Sequence, residues 1–147
     1  KEEGTAFVFM GHGTSHTAKI SYSQMQSQMT ALGYDNVFIG TVEGEPEETS
    51  CESVIEKVKD AGYKNVILRP LMVVAGDHAK NDIAGDDEDS WKSILKANGF
   101  NVNVFLHGLG EFEAIWDMYI NHLRETIDGK VLGKGETKKG AKVLCTQ

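Results

Sequence analysis

Apolar residues along this chain follow two alternating regimes: short continuous runs, and longer stretches in which they recur every three or four positions. The first regime marks strands buried on both faces and the second amphipathic helices. Residues 6–10 (AFVFM) form the first run and stop at Gly11. From about 18 to 32, Tyr22, Met25, Met29 and Leu32 recur at helical spacing, and Gly33 supplies a C-terminal stop. The unit repeats as strand 37–42 (VFIGTV) and helix 47–61, the latter with Cys51, Val54, Ile55, Val58 and Ala61 on one face before Gly62. A third strand is predicted over 66–74. Pro70 lacks an N–H donor, so this strand bends there or lies where that amide is not needed. A short helix at 89–97 with Trp91, Ile94 and Leu95 inward leads to strand 102–106 and a helix at 111–126. The last helix carries the widest apolar stripe: Phe112, Ile115, Trp116, Tyr119, Ile120 and Leu123.

Four strand–helix units in series predict an α/β fold: a four-stranded parallel sheet with right-handed crossovers, flanked by helices on both faces in flavodoxin-like layering. Residues 1–128 read as a single domain and 129–147 as a loosely ordered basic tail. From Lys130 onward that tail holds five lysines against one glutamate, and its KVLC run is a candidate edge strand.

Composition narrows the function. The net charge of −7 comes without a basic stripe interleaved with aromatics, which argues against nucleic acid as a partner. No apolar run approaches the roughly 20 residues of a membrane span. The two cysteines, Cys51 and Cys145, lack CxxC spacing and suit a reducing compartment. Cytoplasmic location is the expectation. A periplasmic one stays open, because the sequence starts at Lys1 and would not show a removed signal segment.

His12, Glu43 and His78 each follow a predicted strand, in the contexts MGHGTS, TVEGEP and AGDHAKNDIAG. The carboxyl edge of a parallel sheet is where ligands bind, and two imidazoles plus a carboxylate gathered there suit a divalent transition metal with open coordination positions. Each residue has a plainer reading. His12, between two glycines, could be a loop residue bonded to a neighbouring carbonyl. Glu43, Glu45, Glu47 and Glu48 could all favour a helix start, a reading preferred for the last three. Asp77 or Asp82 could hold the second ring nitrogen of His78, whereas Asp86, Asp87, Glu88 and Asp89 read as a solvated acidic run. His16 and His107 could shape the same edge, and His122 reads as structural. Walker, GxGxxG, EF-hand and HExxH spacings are missing.

Taken in order, MGHGTSH, GTVEGEP, LRPLMVVAGDHAKNDIAGDD and HGLGE resemble the C-terminal half of the anaerobic sirohydrochlorin cobaltochelatases, relatives of ferrochelatase, over residues 5 to about 127. The resemblance implies a lyase that inserts Co²⁺ into sirohydrochlorin in cobalamin biosynthesis, with His12, Glu43 and His78 on the metal. His12 and His78 are then the catalytic pair, His12 being favoured as proton acceptor. Gly11, Gly13, Thr14, Lys80, His107 and Gly108 are candidate substrate contacts. Lys80, Lys19 and Arg69 are candidate counter-charges for the substrate's carboxylates. No cofactor is implied beyond the substrate metal, and Fe²⁺, Ni²⁺ and Zn²⁺ suit the same donors. Members of this type usually have two similar halves around the tetrapyrrole, so the expected partners are the tetrapyrrole and either a second copy or a missing N-terminal half. Two other readings stay open: a non-enzymatic carrier or sensor of metal or haem, and ferrochelatase-like insertion of Fe²⁺.

Overall fold

A computed structural model describes residues 4–129. Strands and helices alternate as β1 (Thr5–Gly11), α1 (Ile20–Ala31), β2 (Val37–Thr41), α2 (Cys51–Asp60), β3 (Asn65–Pro70), α3 (Trp91–Ala97), β4 (Asn101–Val104) and α4 (Glu113–Ile127). The four strands form one parallel sheet in the order β2-β1-β3-β4, as the alternation of elements predicts. The described residues fall into two compact units, the first running to Leu109 and the second starting at Gly110. The expected basic tail and its KVLC strand lie, from Lys130 onward, outside the described residues.

In the first unit the period of two along β1 separates two faces. Ala6, Val8 and Met10 are fully buried with Val66 and Leu68 of β3, against Val54, Ile55 and Val58 of α2 and Leu95 of α3. The opposite face holds Phe7, Phe9 and Gly11, with the Tyr22 ring of α1 packed on Gly11. The β1 to β2 step runs opposite to the β2 to β3 and β3 to β4 steps. Right-handed crossovers therefore put α1 on one face and α2 and α3 on the other. Trp91, at the start of α3, lies flat against Gly40 of β2. A Cβ there would stand 2.6 Å from the ring and 3.0 Å from the Met10 sulfur.

Several boundaries differ from the sequence expectation for local reasons. The strand expected over 66–74 ends at Pro70. The amide of Leu71 makes a last bond to the Met10 carbonyl (2.7 Å), after which Val73 and Val74 turn out to solvent. The helix expected from 18 starts at Ile20, after a 3-10 turn at Thr17–Lys19. Helix 47–61 is divided into a 3-10 turn, Glu47–Thr49, and α2, because the Ser50 hydroxyl accepts the Ser53 N–H and caps α2 there. α1 buries none of its residues, and Leu32, expected inward, is 67% exposed. Its polar Gln26 instead closes the outer edge of β2, donating to the Val37 carbonyl (2.8 Å) and accepting from the Ile39 amide (2.9 Å). Such bidentate cover blunts an edge that would otherwise template another strand.

In the second unit α4 runs one residue beyond its expected end. It is amphipathic, with Trp116, Tyr119, Ile120 and Leu123 exposed. Among the described residues, no helix is long and apolar enough to cross a membrane.

Two predictions follow from the core. Gly40→Ala should overpack the Trp91 contact and lower unfolding free energy by about 1–3 kcal/mol, read by chemical denaturation. Cys51 is a buried thiol whose pKa desolvation pushes up to about 12 from 9.0, with Glu52 adding a smaller push. Above pH 9 the unfolded chain has released this proton while the folded chain keeps it, so stability should fall with pH by up to about 1.4 kcal/mol per unit until the folded thiol titrates. Denaturation of Cys51→Ala between pH 9 and 11 should show a shallower decline than the parent.

Candidate functional site

The carboxyl ends of β1 and β2 stay hydrogen-bonded past their last strand residues. The Val42 amide donates to the Gly11 carbonyl and the Glu43 amide to the His12 carbonyl, each at 2.9 Å. These two bonds bring the backbones of His12 and Glu43 side by side. Gly13 makes this proximity feasible: its φ is +95°, and a Cβ there would stand 2.8 Å from the Glu43 Cβ. Beneath the Glu43 turn, buried Thr41 and Thr49 share a 2.7 Å hydroxyl contact, and the Thr49 hydroxyl donates to the Pro46 carbonyl at 2.6 Å.

His78 arrives from β3 by a different route. It opens a π-helical turn, Ala79–Ile83, anchored by fully buried Ala79 and Ile83. Single π turns recur at functional sites because they shift a side chain's bearing without ending the helix. Here the turn brings Asp82 under His78, with Nδ1 to Oδ2 at 2.7 Å. Of the two aspartates that the sequence offered for this role, the structure pairs Asp82.

The two histidines meet, and Glu43 stands beside His12. His12 Nε2 and His78 Nε2 stand 3.3 Å apart with the rings nearly perpendicular, and Glu43 Oε1 lies 3.9 Å from His12 Nε2. The partners of the remaining nitrogens set the tautomers. His12 Nδ1 faces the Gly13 carbonyl at 3.2 Å and His78 Nδ1 faces the Asp82 carboxylate, both groups that only accept. In the tautomers that these acceptors favour, each Nδ1 carries hydrogen and each Nε2 turns a lone pair toward the other. Two facing lone pairs repel unless a proton or a cation sits between them. Two nitrogens bound at 2.0–2.1 Å to a tetrahedral ion are about 3.3–3.4 Å apart, close to the separation found. Among the described residues no three His, Cys, Asp or Glu side chains are arranged to hold a metal ion as they stand. A Glu43 side chain turned toward the two rings would be needed for a third ligand, and it is 52% exposed.

The other candidates are placed as follows. Gly11 and Gly13 line the His12 loop, and the Thr14 hydroxyl accepts the His16 amide (3.1 Å). His16 in turn accepts the Ala18 amide at Nδ1 (3.1 Å), capping the 3-10 turn. His107 stacks on Phe105 beyond the end of β4, ring centroids 4.4 Å apart. Gly108 backs on the loop after β3, where a Cβ would stand 2.5 Å from the Val73 carbonyl. Lys80 is exposed on the π turn, two residues from His78. Lys19 pairs with Glu45 (2.7 Å), and the Arg69 guanidinium lies over the rings of Phe105 (4.6 Å) and Phe9 (5.5 Å). Sequence reasoning placed Tyr22 only on the apolar face of α1. Its hydroxyl accepts the Gly13 amide (3.1 Å), a contact that helical periodicity does not signal.

The model of the cobalt chelatase (CbiK) family matches residues 1–128. A sirohydrochlorin cobaltochelatase of Salmonella typhimurium is 44% identical over 121 residues, covering 82% of this chain and 44% of the relative. The sirohydrochlorin cobaltochelatase CbiKC of Nitratidesulfovibrio vulgaris is 37% identical over 122 residues, covering 83% of this chain and 42% of the relative. The chain thus spans less than half the length of both curated relatives. A solved cobalamin (vitamin B12) biosynthesis CbiX protein from Marinobacter aquaeolei VT8 has the same fold, with a TM-score of 0.67 at 17% identity over 85% of this chain and 98% of that one.

Asp82 fixes the bearing of His78, so Asp82→Asn should weaken Co²⁺ or Zn²⁺ binding by roughly 10- to 100-fold, measured by calorimetric titration. Unfolding midpoints should stay close to the parent's, because the His78–Asp82 pair is half-exposed.

Proposed function

Since this chain belongs to the CbiK cobalt chelatase family, we propose that it inserts Co²⁺ into sirohydrochlorin, with His12, Glu43 and His78 holding the incoming ion. The observation that carries the assignment of residues is the 3.3 Å approach of the His12 and His78 Nε2 atoms. A divalent cation between them fits that separation, and Glu43 beside His12 supplies negative charge for it.

Insertion requires that two pyrrole N–H protons leave the macrocycle and that the ion exchange its ligands for ring nitrogens. The site suits both steps. Imidazole and carboxylate donors without a thiolate bind Co²⁺ firmly enough to capture it and weakly enough to release it. The cluster is also open: His12, Glu43 and His78 are each about half exposed, so a flat ring can approach the ion from the solvent side. As the ion passes to the ring, one pyrrole proton can move to His12 Nε2 and the other to water at the open face of the site. His12 is the preferred acceptor, with His78, whose basicity the Asp82 carboxylate raises, kept as the firmer ligand. Lys80, beside His78 on the π turn, is the candidate counter-charge for a substrate carboxylate.

The test is the visible spectrum of sirohydrochlorin with Co²⁺ and a catalytic amount of this chain. Several turnovers are expected, and His78→Ala should lose them while keeping its circular dichroism. Change that stops at one equivalent of protein would identify a carrier, and turnover undiminished in His78→Ala would overturn the ligand assignment.

A further inference from the structure

The start of α1, from its N-cap Lys19 through its first turn, contacts both loops that carry the candidate ligands. Lys19, Tyr22 and Ser23 follow i, i+3, i+4 spacing, which puts them on the same side of a helix. Tyr22 holds the first loop: its hydroxyl accepts the Gly13 amide at 3.1 Å, and its ring fills the space that a Cβ on Gly11 would take. One side chain thus reads the backbone on both sides of His12. Lys19 and Ser23 hold the second loop. Lys19 Nζ donates to Glu45 Oε2 at 2.7 Å, and the Ser23 hydroxyl donates to Glu48 Oε1 at 2.6 Å. The Glu48 carboxyl lies below its usual range, chiefly because of the Ser23 hydrogen bond, so the carboxylate form that accepts it is favoured. α1 buries none of its residues, so its attachment at this end rests on such polar contacts.

We propose that this turn is a clamp in which Tyr22 and Lys19 are positioning residues, setting the separation of His12 from Glu43 and hence the affinity for the ion. The inference rests on the metal-holding role proposed for those residues. It accounts for features that role leaves unexplained: a tyrosine hydroxyl turned to the Gly13 amide, glycine at position 11 beneath its ring, and an ion pair from the start of the helix to the Glu45 loop. The clamp acts from outside the ligand set, since neither Tyr22 nor Lys19 need touch the ion.

The test is titration of Co²⁺ into the full chain, reading the dissociation constant by calorimetry and the ligand geometry from the Co²⁺ d–d absorption. Tyr22→Phe keeps the ring and removes the acceptor of the Gly13 amide. It should raise Kd about fivefold, the weight of one ordinary hydrogen bond, and alter the d–d band. Lys19→Glu should also weaken binding, and the exchange Lys19→Glu with Glu45→Lys should restore it, which a general loss of stability would not do. Parent-like affinity and spectrum in Tyr22→Phe and Lys19→Glu would overturn the clamp. If the parent itself binds no Co²⁺, the functional reading fails first, and the clamp is then decided by amide hydrogen exchange at Gly13: faster in Tyr22→Phe supports it, unchanged overturns it.

Discussion

The carboxyl edge is organised around β1, an inner strand that pairs with β2 on one side and β3 on the other and leads directly into His12. Its ladder to β2 does not stop at Gly11 and Thr41 but carries on through Val42 and Glu43, whose amides reach the Gly11 and His12 carbonyls. A parallel ladder allows little sliding when the side chains on either side are buried, because a one-residue slip would turn every one of them to the wrong face. Strand register therefore brings the His12 and Glu43 backbones to the same level, and the contacts of the loops beyond it act on that starting point. On the other side, the Leu71 amide fixes the exit of β3 to the Met10 carbonyl and sets where the chain departs toward His78.

The packing below the edge makes that register rigid. Met10, Val8 and Leu68 are fully buried, and the Trp91 ring fills the space that a Cβ on Gly40 would take. Glycine recurs where side chains must be absent: at Gly11 for the Tyr22 ring, at Gly13 for the Glu43 Cβ and at Gly40 for Trp91. Polarity is handled with equal economy. Among the described residues no buried side-chain nitrogen or oxygen lacks a partner, and the buried Thr41–Thr49 pair braces the Glu43 turn from beneath. The ligand candidates themselves stay half exposed, which suits a site that must hand its ion on.

Cys51 illustrates how the fold separates chemistry from structure. A thiol would be the strongest soft ligand in the described part of the chain, yet α2 points it into the core, and burial raises its pKa to about 12. The site is left with imidazole and carboxylate, donors that exchange their metal.

Much of this protein is legible in its residues alone. The alternation of apolar runs with helical periodicity determines four strand–helix units and, through the handedness of crossovers, a parallel sheet with His12, Glu43 and His78 at one edge. These are consequences of local pattern and chain chirality, which act over a few residues and are visible in one dimension. The MGHGTSH, GTVEGEP and AGDHAKNDIAG stretches also point to the family. Other facts are set by partners distant in sequence, and only the tertiary structure decides them. The 3.3 Å meeting of His12 and His78 spans 66 positions and follows from the π turn that Ala79 and Ile83 anchor. The choice of Asp82 over Asp77 depends on the same turn. Lys19 reads in sequence as a candidate counter-charge for a substrate carboxylate, but folding places it against Glu45, 26 residues on. Tyr22 reads as core, but its hydroxyl finds the Gly13 amide because the chain doubles back between β1 and α1. Period and composition carry no record of which polar atoms will meet, since that depends on the packing of surfaces that do not exist until the sheet has formed.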